Sequence, residues 1–187
     1  MSTNRKSIKA LGSNRVIFLT GEITEINTVE TARRLLELDK QSNKDILLII
    51  NSDGGDLASG LFLTNIFKIV KSNIAILVPA AAHSTATIIL ASGTKGMRIV
   101  MPGAVAMMHG SIYALPDNPH KVQKSDVDFQ EKREHFFANY LADRGYSKPE
   151  HSLASEYYYY TGQEIIDVGL ADILINSLEE LYKVVKI

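Results

Sequence analysis

Runs of branched aliphatic residues alternate with helix-like segments through the first 110 residues, and this alternation constrains the fold more than any other feature. The strand-like runs are RVIFLTG (15–21), DILLIIN (45–51), NIAILV (73–78) and two more within 97–110. Aliphatic runs without polar alternation are typical of strands buried on both faces of a sheet. The helix-like segments between them are TVETARRLLELDKQS (28–42), LASGLFLTNIFKIVKS (57–72) and TATIILASG (85–93). This order predicts right-handed βαβ units and a mostly parallel sheet in an α/β fold.

The composition narrows the class of protein. The chain has 187 residues, of which 45% are apolar and 22% charged, as expected for one globular domain. A formal net charge of −1 predicts neither a nucleic-acid nor a membrane partner, and the lack of cysteine excludes disulfides and thiolate metal sites. The polar residues 1–13 predict a flexible N-terminal segment before a single domain at 14–187. Because this start lacks an apolar leader, we expect a cytoplasmic protein.

Polar residues stand where three of the predicted strands end. Ser84 lies just past the third aliphatic run and at the start of a predicted helix, His109 ends AVAMMH, and the Asp53–Gly54–Gly55 turn follows DILLIIN. Active sites of parallel α/β sheets collect at the carboxyl ends of the strands. A nucleophilic serine needs a base and N–H donors that hold the developing oxyanion. The sequence offers His109 as the base, and the backbone N–H groups of Thr85 and of the glycine turn as donors.

Each of these features also has a purely structural interpretation. A glycine pair after a strand is often only a tight turn, and a serine before a helix is often its N-cap. A histidine at a strand end is often simply solvated. His83, beside the serine, should point to the opposite side of the chain if the segment is extended, so we do not expect it to be a catalytic residue. By spacing alone, the constellation leaves both interpretations open.

Three ordered strings resemble the proteolytic subunit family of the Clp protease, ClpP. They are INSDGGDLASGLFLTN (50–65), AAAHSTATIILASGTKGMR (80–98) and MPGAVAMMHG (101–110). The family reads I-N-S-P-G-G, then A-A-S-M-G-A-L-L-L-A-A-G-x-K-G-x-R, then L-P-x-x-x-x-M-I-H-Q-P. The similarity extends through 14–50 and resumes at 162–175. It implies a ClpP/crotonase-type fold of stacked βαβ units, with a protruding handle helix in the region 110–145.

The resemblance assigns roles to the same residues. It implies that Ser84 is the nucleophile and His109 the base, with Gly54 and Thr85 supplying the oxyanion N–H groups, and it implies no metal and no cofactor. The family's third triad member, an aspartate, falls on Tyr157. A phenol has a pKa of about 10 and carries no charge near neutral pH, although it could accept a hydrogen bond from the imidazole. Glu156, the nearest carboxylate, is the other candidate for orienting His109, although it would face the other way in an extended segment. By the resemblance it replaces the family's arginine that links ring assembly to the active site.

The handle region also departs from the family. GSIYALPDNPHKVQKSDVD (110–128) lacks the family's glycines, and two prolines remove backbone donors there. The segment 122–145 is expected to be the handle helix, with apolar residues at Val127, Phe136, Phe137, Tyr140 and Leu141. A helix that projects from a small domain leaves such a face exposed, so we expect it to pack on a partner subunit.

The resemblance implies a serine endopeptidase that degrades unfolded proteins or peptides inside a ring chamber. It further implies a homo-oligomer of rings, which could stack in pairs, and an AAA+ unfoldase as a candidate partner. The alternative is a weakly active or inactive ClpP-like ring subunit that serves as a scaffold or as a partner in mixed rings. A third hypothesis is a crotonase-type acyl-CoA enzyme, which shares the fold and uses paired oxyanion N–H groups without a nucleophilic serine.

Overall fold

The computed structural model describes residues 14–110 and 123–187. The predicted N-terminal segment 1–13 and the first part of the handle region, 111–122, lie outside the described residues. The strands are β1 (Val16–Thr20), β2 (Ile46–Asn51), β3 (Ile74–Val78), β4 (Ala81–His83), β5 (Arg98–Val100), β6 (Val105–Met108), β7 (Tyr158–Thr161) and β8 (Ile173–Leu174). The helices are α1 (Glu25–Gln41), α2 (Leu57–Phe67), α3 (Thr85–Ala91), α4 (Lys124–Ala142), α5 (Gln163–Asp167) and α6 (Leu178–Val184), with a 3₁₀ turn at Pro149–Ser152.

The main sheet is parallel throughout and has the order β1-β2-β3-β5-β8. Every residue of β3, and all of β2 except its last residue, is buried. This burial is the reason that these two strands are unbroken aliphatic runs, since helices cover both faces of such a sheet. The predicted α/β fold of stacked βαβ units is confirmed.

A second sheet of three strands, β4-β6-β7, carries the polar strand ends. Strand β4 pairs with β6 in parallel, and β6 pairs with β7 in antiparallel fashion. The antiparallel register sets Met108 opposite Tyr158, so the residues that follow and precede these two, His109 and Tyr157, come together at the end of the sheet. The tyrosine run, in which no strand is predicted, thus forms strand β7.

Two helix boundaries differ from the prediction. Helix α1 begins at Glu25, because Thr24 caps it in a reciprocal capping box with Asn27, whereas Thr28 is buried inside the helix. Helix α2 ends at Phe67 and does not continue to residue 72. Four residues beyond it, the carboxylate of Asp39 accepts hydrogen bonds from the amides of Lys71 and Ser72, at 2.9 and 2.7 Å.

Helix α4 is the predicted handle helix, and its two halves differ in burial. The C-terminal half packs on the core through Phe137, Tyr140 and Leu141. In the N-terminal half, Val127 and Phe129 are 44% and 59% exposed. The predicted apolar face is therefore partly covered by the domain and partly open.

A buried ion pair fixes the C-terminal end of this helix. The guanidinium of Arg98 pairs with Asp172 at 2.6 Å and donates to the backbone carbonyls of Arg144 and Gly169, each at 3.0 Å. Burial alone would raise the pKa of Asp172, but its hydrogen bonds from Arg98 outweigh this effect, and the pKa lies below its usual value. One arginine on β5 thus connects the sheet edge to the loop after α4.

Candidate active site

Ser84 occupies a strained turn between β4 and α3. Its φ of +53° and ψ of −121° make it the one non-glycine residue with a positive φ among those the structure describes. Such a conformation costs about 1–3 kcal/mol and is found mainly where function requires it. The serine side chain makes no capping hydrogen bond with α3, although it stands at the N-cap position. The N-cap interpretation therefore does not describe this serine.

His109 follows β6 and faces this turn. Its Nε2 lies 2.9 Å from the Oγ of Ser84. Its other ring nitrogen, Nδ1, contacts the backbone carbonyl oxygen of Gly110. A carbonyl can only accept, so Nδ1 carries the proton and Nε2 is left as the acceptor for the serine O–H. This is the tautomer that a general base requires.

The Gly110 carbonyl is itself held in place. The Gly110 N–H donates to the carbonyl of Ala154 at 2.6 Å. A Cβ on Gly110 would lie 2.9 Å from the carbonyl oxygens of Leu153 and Ala154, so only glycine allows the two segments to approach this closely. From the sequence, Gly110 indicates only the end of a strand. A backbone acceptor has no sequence signature, since every residue carries one.

Tyr157 and Glu156 do not take the position of a triad acid. The Tyr157 ring lies beside His109, with centroids 5.2 Å apart and planes tilted by 45°, and the residue is 51% exposed. No hydrogen bond joins its hydroxyl to any described residue. The carboxylate of Glu156 accepts a hydrogen bond from the Tyr158 hydroxyl at 3.1 Å. Within 14–110 and 123–187, no carboxylate contacts His109.

The glycine turn packs directly against the serine turn. Gly54 and Gly55 have φ values of +97° and +145°, and a Cβ on Gly54 would lie 2.7 Å from the His83 carbonyl oxygen and 2.9 Å from the Ser84 Cβ. The hydroxyl of Thr85 donates to the Gly55 carbonyl at 2.9 Å and joins the two turns. Glycine is required here for both the φ angle and the close approach.

The two expected oxyanion donors differ in this structure. The N–H of Thr85 makes no hydrogen bond to any described residue and lies at the N-terminal end of α3, beside Ser84. The N–H of Gly54 donates to the hydroxyl of Ser52 at 3.0 Å. The structure therefore brings Gly54 to the serine but directs its amide to a neighbouring side chain.

A cavity of about 430 Å³ opens over Ser84 and His109. Apolar side chains form much of its wall, namely Leu57, Ile88, Met107, Met108, Phe137 and Leu141. Asp56 and Arg133 also line it. The hydroxyl and amide of Ser59 hold the pKa of Asp56 below its usual value, so Asp56 is negatively charged at neutral pH and Arg133 supplies a positive charge to the same cavity. The cavity has the size and mixed lining of a site for a few side chains of a peptide.

The described part of the chain shows neither a membrane-spanning helix nor a metal-binding cluster. None of its helices is long and apolar enough to cross a membrane. It also contains no group of three or more histidine, aspartate or glutamate side chains arranged to hold a metal ion.

Comparison with known proteins identifies the family. The model of the Clp protease family matches residues 2–177. The chain is 31% identical over 171 residues to the ATP-dependent Clp protease proteolytic subunit of Streptococcus agalactiae serotype V, covering 88% of this chain and 86% of that protein. It is 40% identical over 97 residues to the subunit of the same name from Streptococcus thermophilus, covering 51% and 50% of the two chains. The chain therefore belongs to the Clp protease family.

Proposed function

We propose that the chain is a serine endopeptidase in which Ser84 is the nucleophile and His109 the general base. The observation that carries this proposal is the 2.9 Å contact between the Ser84 Oγ and the His109 Nε2, made by a serine held at a positive φ. Family membership supports the same reaction class, since the relatives are proteolytic subunits.

The chemistry follows from these groups. The Ser84 Oγ attacks the carbonyl carbon of a peptide bond while its proton passes to the His109 Nε2. The Thr85 N–H stabilises the oxyanion that forms, and the N-terminal end of α3 adds a favourable dipole. His109 then gives the proton to the departing amine, which leaves an acyl-enzyme on Ser84. Water, activated by the same imidazole, attacks this ester and releases the second product.

A triad acid orients the imidazole and stabilises the imidazolium, and the Gly110 carbonyl performs the first of these two roles. By accepting from Nδ1, it holds the imidazole in the tautomer and orientation that the reaction requires. It carries only a partial charge, so it stabilises the imidazolium less than a carboxylate would. We therefore propose an active enzyme whose rate lies below that of a full triad.

The second oxyanion donor is the Gly54 N–H in this proposal. Its hydrogen bond to the Ser52 hydroxyl has to be exchanged for one to the substrate oxyanion. Such an exchange costs little, because one hydrogen bond replaces another and the bond to a charged acceptor is the stronger one.

We propose that unfolded proteins or short peptides are the substrates and that the subunits assemble into rings. Open apolar side chains on α4, including Val127, Phe129 and Phe136, support a contact with another subunit. An AAA+ unfoldase is the proposed partner, supported by the words "ATP-dependent" and "proteolytic subunit" in the names of the relatives. The cytoplasmic location stays a prediction.

The second candidate function is a ring subunit of negligible activity. The observation that favours it is the missing carboxylate at His109 in the described part of the chain. The acyl-CoA hypothesis has less support, because such an enzyme has no use for a serine in contact with a histidine.

Labelling with a fluorophosphonate probe tests the proposal, because only an activated serine reacts with it. We expect labelling of the wild-type protein, none of Ser84→Ala, and at least about tenfold slower labelling of His109→Ala. Ser92→Ala is the control, since this serine donates to a helical carbonyl at 2.6 Å and lies outside the site. A folded wild-type protein that resists the probe as fully as Ser84→Ala would rule out the peptidase and leave the scaffold and acyl-CoA functions, which binding of coenzyme A would distinguish.

A further inference from the structure

A histidine and an aspartate that the proposed chemistry does not use lie beside the serine. The Nδ1 of His83 is 3.0 Å from the Oδ1 of Asp53. His83 directly precedes Ser84, and Asp53 directly precedes Gly54, so the pair joins the serine turn to the glycine turn. In the family pattern given above, these two positions read alanine and proline. Neither alanine nor proline has a side chain that could form this contact.

The surroundings of His83 determine how it binds Asp53. Its Nε2 is buried and has no hydrogen-bond partner in the described structure, and its ring meets the edge of the Tyr159 ring, with centroids 6.2 Å apart. A buried N–H without an acceptor is rare in proteins, whereas an unused acceptor is tolerated more often. The proton accordingly resides on Nδ1, and the Nδ1–H donates to the Asp53 carboxylate.

The glycine turn is held by several contacts, and the His83–Asp53 pair adds one at its first residue. The Gly54 carbonyl accepts from the Ile23 N–H at 2.7 Å, and the Gly55 carbonyl accepts from the Thr85 hydroxyl. Two successive glycines have the largest conformational freedom of any residue pair, and fixing each of them is unfavourable in entropy. The N–H of Asp53 makes no hydrogen bond to a described residue, so its side chain supplies the hydrogen bond that anchors this residue. A proline at this position would restrict the backbone covalently.

We propose that His83 and Asp53 are positioning residues that hold the glycine turn at the distance from Ser84 that oxyanion binding requires. This inference rests on the proposed peptidase function. The hydrogen bond between His83 and Asp53 thus restrains the backbone at position 53, as a proline there would do covalently. Because Asp53 is 92% exposed, the contact is weak, and its loss should reduce the rate without unfolding the protein.

Kinetics of four variants on a short fluorogenic peptide test the proposal. We expect His83→Ala to lower kcat about three- to tenfold with KM within twofold, because a displaced donor affects the oxyanion more than the bound substrate. His83→Asn should retain kcat, since its amide N–H can replace the Nδ1–H. The double variant His83→Ala/Asp53→Pro should recover most of the loss, because proline restricts the backbone covalently. Proline needs a negative φ, and Asp53 has one, since Ser84 is the only non-glycine residue with a positive φ among those described. Lys40→Ala, at an exposed position near the C-terminal end of α1, is the control and should equal the wild type.

Three results would overturn the proposal. These are a His83→Ala kcat within twofold of the wild type, a His83→Asn kcat as low as that of His83→Ala, and a double variant no faster than His83→Ala. The second of these would mean that the histidine ring acts only by packing on Tyr159.

Hydrogen exchange separates this proposal from the proposed function. If the wild type turns over no faster than Ser84→Ala, the peptidase proposal fails, but the restraint can still be measured. Amides in a peptide covering residues 50–56 should exchange at least about threefold faster in His83→Ala than in the wild type or His83→Asn. Equal exchange in all three proteins would refute the positioning role whatever the activity.

Discussion

Replacement of Gly110 by alanine tests whether a backbone carbonyl orients His109. The added Cβ would lie 2.9 Å from two carbonyl oxygens of the neighbouring segment, which is closer than Cβ atoms approach in folded proteins. Because both contacts are with backbone, the residue has to move, and its own carbonyl moves with it. The φ of Gly110 is not among the positive values, so alanine is otherwise compatible with the local backbone.

The expected loss follows from one hydrogen bond. A net contribution of about 1–1.5 kcal/mol for the bond between Nδ1–H and the Gly110 carbonyl corresponds to roughly a 5- to 12-fold lower kcat. KM should change less than twofold, since the carbonyl acts on the base and not on the substrate. Removing a complete triad acid costs a serine protease about 10⁴ in kcat, and the smaller value here reflects an acceptor without a full charge.

The assay is steady-state hydrolysis of a short fluorogenic peptide, with melting temperatures to confirm folding. Gly103→Ala is the matched control, because a Cβ at Gly103 meets nothing within 4 Å and this glycine also lacks a positive φ. Unchanged kcat in a folded Gly110→Ala protein, or an equal loss in Gly103→Ala, would refute the reasoning.

Three further predictions concern residues around the serine. Tyr157→Phe should leave kcat within twofold of the wild type, because the hydroxyl makes no described hydrogen bond; a tenfold loss in peptide turnover would show that the phenol orients His109 after all. Gly54→Ala should lower kcat at least about 10²-fold, since its Cβ would lie 2.7 Å from the His83 carbonyl. Gly21→Ala is the control, because Gly21 also has a positive φ, at +78°, but a Cβ there would meet nothing within 4 Å. An equal loss of kcat in Gly21→Ala would show that backbone strain alone causes the effect. Ser84→Gly should abolish turnover yet raise the free energy of unfolding by about 1 kcal/mol, as measured by urea denaturation, and a lower value would argue against strain at this turn.

The fold could be predicted where local patterns determine it. The buried strands β2 and β3 are continuous aliphatic runs, and their order with the helices leaves few topologies. Strand β7 was missed although tyrosine favours strands, because so short a run is not distinguished from a loop by its pattern alone and its partner β6 lies far earlier in the chain. Helix α1 begins three residues before its predicted start, and this was missed because its cap, Thr24, has an asparagine and not a glutamate at the third helical position.

In the candidate site, the catalytic side chains could be predicted from the sequence, whereas the backbone contacts could not. Ser84 and His109 could be brought together from the sequence, since both follow strands whose carboxyl ends share one edge. The acceptor at the His109 Nδ1 could not be predicted, because it is a backbone carbonyl and every residue type has one. The Asp53 partner of His83 was also missed, since the contact depends on how closely the glycine turn approaches β4.

Turnover of a short peptide by the wild type and by Ser84→Ala tests the central claim most directly. In a serine protease that lacks only its acid, the serine still contributes roughly 50-fold or more to kcat, and the Gly110 carbonyl should add to this. We therefore predict that the wild type hydrolyses the peptide at least about 50-fold faster than Ser84→Ala. Equal rates in the two folded proteins would contradict the peptidase account.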